Sequence, residues 1–428
     1  MPGDGTRTAI TNARSGAGPG ARCLDLTRLI SRVGRGPDTG VDRVERAYLT
    51  HLLGLPDPLF ALVRSSLGYV LLDKEGTGRI ARRLAGETPW GPADLIGAMS
   101  RKSSPARRRA MADVRRLALA RCRTGRLAGM LRRHVPVGCA YLNVGHSNLR
   151  TEVMAAWKTM PDAQISVLVH DTIPLDYPQF QRVGTPALFR EKLRRVAAFA
   201  DLAIYNSQGS RADAERWFAD LGRCPPGTVA HLGVDVPPVD SRHLPQDLDL
   251  SRPYFVCLGT IEPRKNHTLL LDIWEEFASE MPAEQIPNLI IAGARGWANE
   301  AVFARLDTSP VMQVSVFERP GLDDRAVAAL LSGSCGLLCP SVAEGFGLPV
   351  AEAAALGVPV ICPKLPVYEE ILGNIPVYAD SGDVYLWKQS IRRLAVEKQA
   401  EHDRKRGPAP RTEIPTWAEH FNLVLKVT

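Results

Sequence analysis

Between Cys335 and Cys362 the chain reads CGLLCPSVAEGFGLPVAEAAALGVPVIC, and this segment constrains the fold more than any other. An apolar run ends abruptly in a loop that holds a carboxylate and two glycines. An alanine-rich helix opens at Pro349, and a second apolar run follows at Val358 to Cys362. Strand, helix and strand in this order indicate one unit of a parallel sheet. Proline suits a helix start, because its fixed φ is helical and its missing N–H has no partner there to lose. Gly345 and Gly347 lack a Cβ, so the backbone can turn sharply and a ligand can come close. The free N–H groups and positive dipole end at Pro349 face the loop, which suits an anion joined to something rich in hydroxyls. Glu344 lies in the loop, and Glu352, eight residues on, is expected in the first turn of the helix.

A second region agrees. Tyr254 to Leu271 reads YFVCLGTIEPRKNHTLLL, a buried-strand run that ends at Gly259 and a short loop with Arg264 and Lys265 before a helix. Two adjacent cations on a strand-to-helix loop can hold a diphosphate, Arg as a planar fork and Lys as a mobile point charge. The plain alternative is a solvated basic loop. Both loops follow strands of one alternating series, and ligands of such sheets bind outside the carboxyl ends of the strands.

Taken together, GTIEPRKN, GLDD, PSVAEGFGLPVAEA and PVYEEILG in the C-terminal half, with VLVHDTIPLDYP, ADLAIYNSQGS and HLGVD before them, carry a family resemblance. The chain resembles the retaining glycosyltransferases of group 1 (family 4), with a mannosyltransferase-like subgroup nearest in motif form. That resemblance implies an α/β GT-B fold, two Rossmann-like domains facing a cleft, with a C-terminal helix crossing back to the first. It implies a hexosyltransferase that moves a sugar from a nucleotide-sugar, GDP-mannose first, to a polysaccharide or lipid-linked glycan hydroxyl with retention. By the same resemblance Arg264 and Lys265 meet the diphosphate, Glu344 with the backbone N–H groups of Phe346 and Gly347 meets the sugar, and Gly345 and Leu348 belong to the same substrate-binding loop. Glu352 meets the ribose, Gly321 and Leu322 the base. His170, with Asp171 beside it, lies near the transferred sugar, and Gly40 in the loop Gly36-Pro37-Asp38-Thr39-Gly40 lies near the diphosphate. No cofactor or metal is expected, since Arg and Lys serve the diphosphate and Asp247-Leu248-Asp249 reads as turn chemistry. Other readings are a nucleotide-sugar epimerase or phosphorylase on the same fold, or a non-catalytic nucleotide-sugar-binding relative. A glycosidase pair is disfavoured, because carboxyls roughly 5–5.5 Å apart must flank one anomeric carbon.

The expected layout is a disordered tail over residues 1–22, an acceptor-side domain over 23–240 and a linker over 241–252. A nucleotide-sugar domain over 253–410 and a terminal helix over 411–428 complete it. The tail lacks an apolar core and does not read as a signal peptide. No apolar run approaches the roughly 20 residues of a membrane-spanning helix. Eight cysteines without a CxxC pair suit buried thiols in a cytoplasmic setting. The net charge of +7 is concentrated in residues 101–133, where twelve Lys or Arg face one acid, Asp113. Apolar residues there recur at helical spacing, so one or two basic amphipathic helices are expected, with peripheral contact to an anionic membrane as their functional reading. Nucleic acid is not an expected partner, because no binding motif accompanies the charge.

Overall fold

The computed structural model describes residues 20–99, 103–404 and 414–428. Most of the expected N-terminal tail lies outside the described residues. Two α/β lobes follow one another along the chain. The first holds an eight-stranded sheet built from β1 (Arg22–Asp25), β2 (Leu59–Ser65), β3 (Gly68–Leu72), β4 (Ala120–Cys122), β5 (Ala140–Asn143), β6 (Gln164–Val169), β7 (Leu202–Tyr205) and β8 (Gly227–Val229). Its order is β4-β3-β2-β1-β5-β6-β7-β8. The second lobe holds β9 (Tyr254–Leu258), β10 (Asn288–Ala292), β11 (Val316–Glu318), β12 (Gly336–Leu338), β13 (Val360–Cys362) and β14 (Val377–Tyr378), in the order β11-β10-β9-β12-β13-β14.

All pairings of the second sheet are parallel. Its central strands are apolar on both faces because helices cover both, as parallel sheets require. The first sheet departs from the all-parallel expectation at one edge, where β2–β3 and β3–β4 run antiparallel. The two-residue turn Ser66-Leu67 makes that hairpin. Gly68 permits it, because its φ is +135° and a Cβ there would lie 2.1 Å from the Cys122 carbonyl oxygen. β11 begins at Val316, three residues beyond Gln313. Gln313 itself is left-handed, at φ +60°, and closes the preceding turn on Val316.

The expected basic helices flank a strand. Pro105–Arg116 and Leu127–His134 are helical, with β4 between them. Their apolar residues Val114, Leu127, Met130 and Leu131 are buried in the core of the first lobe. Of the charges, Arg115 pairs with Asp94 at 2.5 Å and Arg116 with Asp113 at 2.7 Å. Arg121, Arg123, Arg126, Arg132 and Arg133 face solvent. The amphipathic pattern therefore serves packing, and only the charged side is left at the surface.

The helix Trp417–Val424 crosses back to the first lobe, where Phe421 and Val424 join the core around β1 and the helix Gly40–Gly54. His420 Nε2 lies 2.8 Å from the Tyr48 hydroxyl, and the Gln164 side chain donates to the Val427 carbonyl at 2.7 Å. Phe346 and Ala351 of the second lobe belong to the same apolar cluster. The lobes are thus joined by packing at the site itself.

Candidate active site

The two loops singled out in the second lobe meet. Gly259 follows β9 at φ +120°, and a 3₁₀ turn, Pro263–Lys265, precedes the helix His267–Glu280. Asn266, in the left-handed region at φ +51°, lets the chain enter that helix directly after the turn. The Val342 amide donates to the Arg264 carbonyl at 2.9 Å, and the Arg264 guanidinium donates to the Ala343 carbonyl at 2.6 Å. Those bonds fasten the 264–265 turn to the 341–347 loop.

Arg264 and Lys265 are not free cations. Lys265 Nζ lies 2.6 Å from Glu344 Oε1, Arg264 lies 2.9 Å from Glu344 Oε2, and Arg264 also reaches Glu262 at 2.7 Å. Glu344 is nearly out of water. Burial alone would raise its pKa, but Arg264 and Lys265 outweigh it and hold the carboxyl at about 2. The Arg264 guanidinium is likewise held charged, burial being outweighed by Glu344, Glu262 and Asp171. The result is a desolvated cluster that holds Glu344 and Arg264 charged, and charge there acts at far greater strength than it would in water.

The glycine loop is shaped by close contacts. Gly347, at φ +85°, caps the helix Leu348–Ala355, and a Cβ on it would meet the Tyr368 ring at 2.4 Å. A Cβ on Gly345 would lie 2.6 Å from the His170 carbonyl oxygen and 2.9 Å from Asp171 Cβ. The helix therefore opens at Leu348, with Pro349 second, and Glu352 lies beyond the first turn where it was expected. Buried Glu352 reaches across to Arg43 of the helix Gly40–Gly54 at 2.5 Å. Burial still leaves its pKa raised, with Arg43 opposing.

The first lobe supplies the opposite wall. His170, just after β6, is buried with Nε2 2.7 Å from the Val144 carbonyl, and burial lowers its pKa to about 4. The ring is neutral at pH 7, so the Nε2 hydrogen bond is a donation and Nδ1 is left as the acceptor. His146 stands edge-on to it at 5.0 Å between ring centres and is left-handed at φ +52°. Burial raises Asp171 to about 6, against the pull of Arg264, and its carboxylate accepts from the Ile173 amide at 3.1 Å. Gly40 opens the helix Gly40–Gly54, where an added Cβ would stand 3.4 Å from Leu348.

His170, Asp171, Arg264, Lys265, Glu344, Gly345, Phe346, Gly347, Leu348, Glu352 and Gly40 thus lie on one interlobe seam. Gly321 and Leu322 lie in the turn after β11, Gly321 at φ +81° with open space around it, and Asp324 just beyond them acts electrostatically on Arg43 and Glu352 of the seam. Sequence reasoning missed Arg43, Glu262, Ser207, Ser210 and Glu370. None sits in a spacing that announces its contacts, although Glu262, Ser207, Ser210 and Glu370 fall inside quoted motifs.

Residues 242–406 match the family described as glycosyl transferases group 1. An Escherichia coli serotype-specific mannosyltransferase, WbdA, is 33% identical over 274 residues, covering 60% of this chain and 33% of the relative. The chain therefore spans about a third of the length of that relative. A D-inositol 3-phosphate glycosyltransferase of Rhodococcus opacus is 25% identical, covering 69% of this chain and 68% of its own. Among solved structures, Anabaena Alr3699/HepE in complex with UDP and glucose superposes with a TM-score of 0.58 at 14% identity, over 96% of this chain and all of the other. Sucrose-phosphate synthase from Thermosynechococcus elongatus gives 0.57 at 14%, over 95% and 96%. Residues 242–406 thus match the group 1 glycosyl transferase family, and the chain that carries them has the GT-B fold.

Proposed function

We propose that the chain transfers a hexose from a nucleotide-sugar to a glycan or lipid-linked hydroxyl, with GDP-mannose as the donor and retention at the anomeric carbon. The observation that carries the reading is the fastening of Arg264 and Lys265 to Glu344, directly across the seam from His170 and Asp171. Breaking the glycosidic bond builds negative charge on the departing diphosphate and positive charge at the anomeric carbon. Arg264 and Lys265 are already charged and desolvated, so they stabilise the leaving group without reorganising, the form of assistance worth most in catalysis. Glu344, ionised at neutral pH, accepts from sugar hydroxyls with the lone pairs that its two ion pairs leave open. Neutral His170 offers hydrogen bonding near the reacting carbon without adding a repelling charge. In the retaining route proposed, the leaving phosphate itself helps to take the acceptor proton.

The mannosyl assignment draws on the E. coli mannosyltransferase relative and is a proposal for this chain. The reading assigns the diphosphate to Arg and Lys without a metal, so turnover should survive a chelator. The proposed setting is the cytoplasmic face of a membrane, reached through the exposed arginines 121, 123, 126, 132 and 133. Among the described residues no helix is long and apolar enough to cross a membrane.

The test is a thermal-shift and turnover screen with GDP-, UDP- and dTDP-linked sugars. Ligand stabilises by RT ln(1 + [L]/Kd), so a nucleotide preference appears as a larger shift. Guanosine preference with release of GDP in step with mannosylated product supports the reading. Release of product with inverted configuration, or a uridine preference, overturns its finer parts.

A further inference from the structure

Ser207 and Ser210 stand where the helix Gln208–Asp220 of the first lobe begins, and both reach the second lobe. Ser207 Oγ accepts from the Ser210 amide at 2.9 Å as a helix cap, and donates its own proton to the Gly345 carbonyl at 3.2 Å. Ser210 Oγ lies 3.0 Å from the Gly345 carbonyl and 3.0 Å from the His170 carbonyl, so one hydroxyl proton is shared between the two walls of the site. Ser207 is fully buried and Ser210 nearly so. The carbonyl of the glycine that follows Glu344 is therefore held by two hydroxyls of the opposite lobe.

Glu370 makes the reciprocal contact. From the helix Pro366–Leu372 of the second lobe, its carboxylate accepts from the Gln208 amide at 2.7 Å and from the Gly209 amide at 3.3 Å. Those are the first two amides of the Gln208–Asp220 helix, which have no partner within it. His231, just beyond β8, adds a contact at 2.7 Å to the same carboxylate. An anion bonded to a helix start in this way is a charge-assisted contact, about twice as strong as a neutral one. One helix start thus grips Glu370 with its backbone and the Gly345 loop with its hydroxyls, and hydrogen bonds of this length fail once the lobes separate by about an ångström.

We infer that Ser207, Ser210 and Glu370 are positioning residues that latch the two lobes in the register needed for transfer, and that they act through Gly345. The inference rests on the transfer reading given above and adds the device that brings its two walls together. Binding of nucleoside diphosphate belongs to Arg264 and Lys265 and does not require the latch. Turnover does, because a displacement of about 1 Å from reacting geometry is worth on the order of a hundredfold in rate.

The experiment uses the full chain with Glu370→Ala, Glu370→Asp and the pair Ser207→Ala with Ser210→Ala. Amide hydrogen exchange at residues 208–210, calorimetric affinity for GDP, and kcat with nucleotide-sugar are read on each. The expected result is faster exchange at 208–210 in Glu370→Ala, GDP affinity within about twofold of the parent, and kcat lower by about tenfold or more. The serine pair should lower kcat in the same way, and Glu370→Asp should recover part of the loss. Unchanged kcat in both Glu370→Ala and the serine pair overturns the proposal. So does joint loss of GDP affinity and turnover, which marks a general structural role. A parent that binds GDP but turns over no nucleotide-sugar contradicts the transfer reading and not the contact, whose existence the exchange rates then support or overturn by themselves.

Discussion

The two walls of the seam handle burial in opposite ways. In the second lobe, Glu344, Arg264 and Lys265 leave water together, and opposite charges at 2.6–2.9 Å keep Glu344 and Arg264 ionised. In the first lobe, His170 and Asp171 leave water without an equal partner. Burial drives His170 down to about 4 and Asp171 up to about 6, each toward its neutral form. One wall is built to present fixed charge, and the other to present hydrogen bonds and a carboxyl that titrates near neutrality. A reaction that expels a diphosphate beside a reactive carbon needs both kinds of surface. The comparison shows that burial fixes the chemistry of a side chain only together with its partner.

The largest effect is expected where the charged wall is cut. Lys265→Met should lower turnover by about a hundredfold or more, as loss of a preorganised stabiliser does. It should also lower stability by about 3 kcal/mol in chemical denaturation, because Glu344 keeps its burial and loses a partner. If Lys265→Met matches the parent in both, the paired-charge description of that wall fails.

Across the seam, Arg43→Ala should destabilise by about 3 kcal/mol, since it leaves the buried Glu352 without its cation. Arg43→Met combined with Glu352→Gln should recover most of that loss, because neither group then carries an unpaired buried charge. A double-mutant cycle in denaturant measures the coupling, and strictly additive losses would contradict an ion pair between the lobes.

The walls should also respond to pH with opposite sign. Glu344 has a folded pKa of about 2, below its ordinary 4.5, so its contribution is present above pH 4.5 and is lost as pH falls through 2. Asp171 has a folded pKa of about 6, above its ordinary 3.8, so folding binds a proton between those values and stability falls as pH rises through 6. Asp171→Asn should therefore gain on the parent between pH 4 and pH 7, by on the order of 2 kcal/mol. A difference that stays flat over that range would show that Asp171 is not strained by burial.

Much of the second wall was legible in the chain. Glu344, the two glycines and the Arg-Lys pair stand at strand ends in a short span, so local pattern and site coincide. What stayed hidden was the pairing. Nothing in the linear order announces that Lys265 and Glu344, far apart in the chain, neutralise one another, or that Arg43 takes up Glu352. The antiparallel edge was missed for a related reason: GYVLL is buried on every residue, so it shows no alternation to mark it as a strand. The apolar face of the basic segment was ambiguous for another reason: its helical spacing is the same whether that face meets a membrane or, as here, the core.

The smallest effect is expected at Gly40. A Cβ there makes an ordinary contact with Leu348, and Ala suits a helix, so Gly40→Ala should change stability by less than about 0.5 kcal/mol. Its donor KM is the sharper reading. A rise of tenfold would bring Gly40 into the diphosphate site, and an unchanged value would leave it a packing position between the lobes.

The central claim is that the cationic turn of the second lobe binds the diphosphate of the donor. Calorimetric titration of GDP into the parent chain and into Lys265→Met tests it most directly. The account predicts measurable binding by the parent and a loss of about tenfold or more in the variant, the scale of one charge-assisted contact. Equal affinity in the two proteins would contradict it.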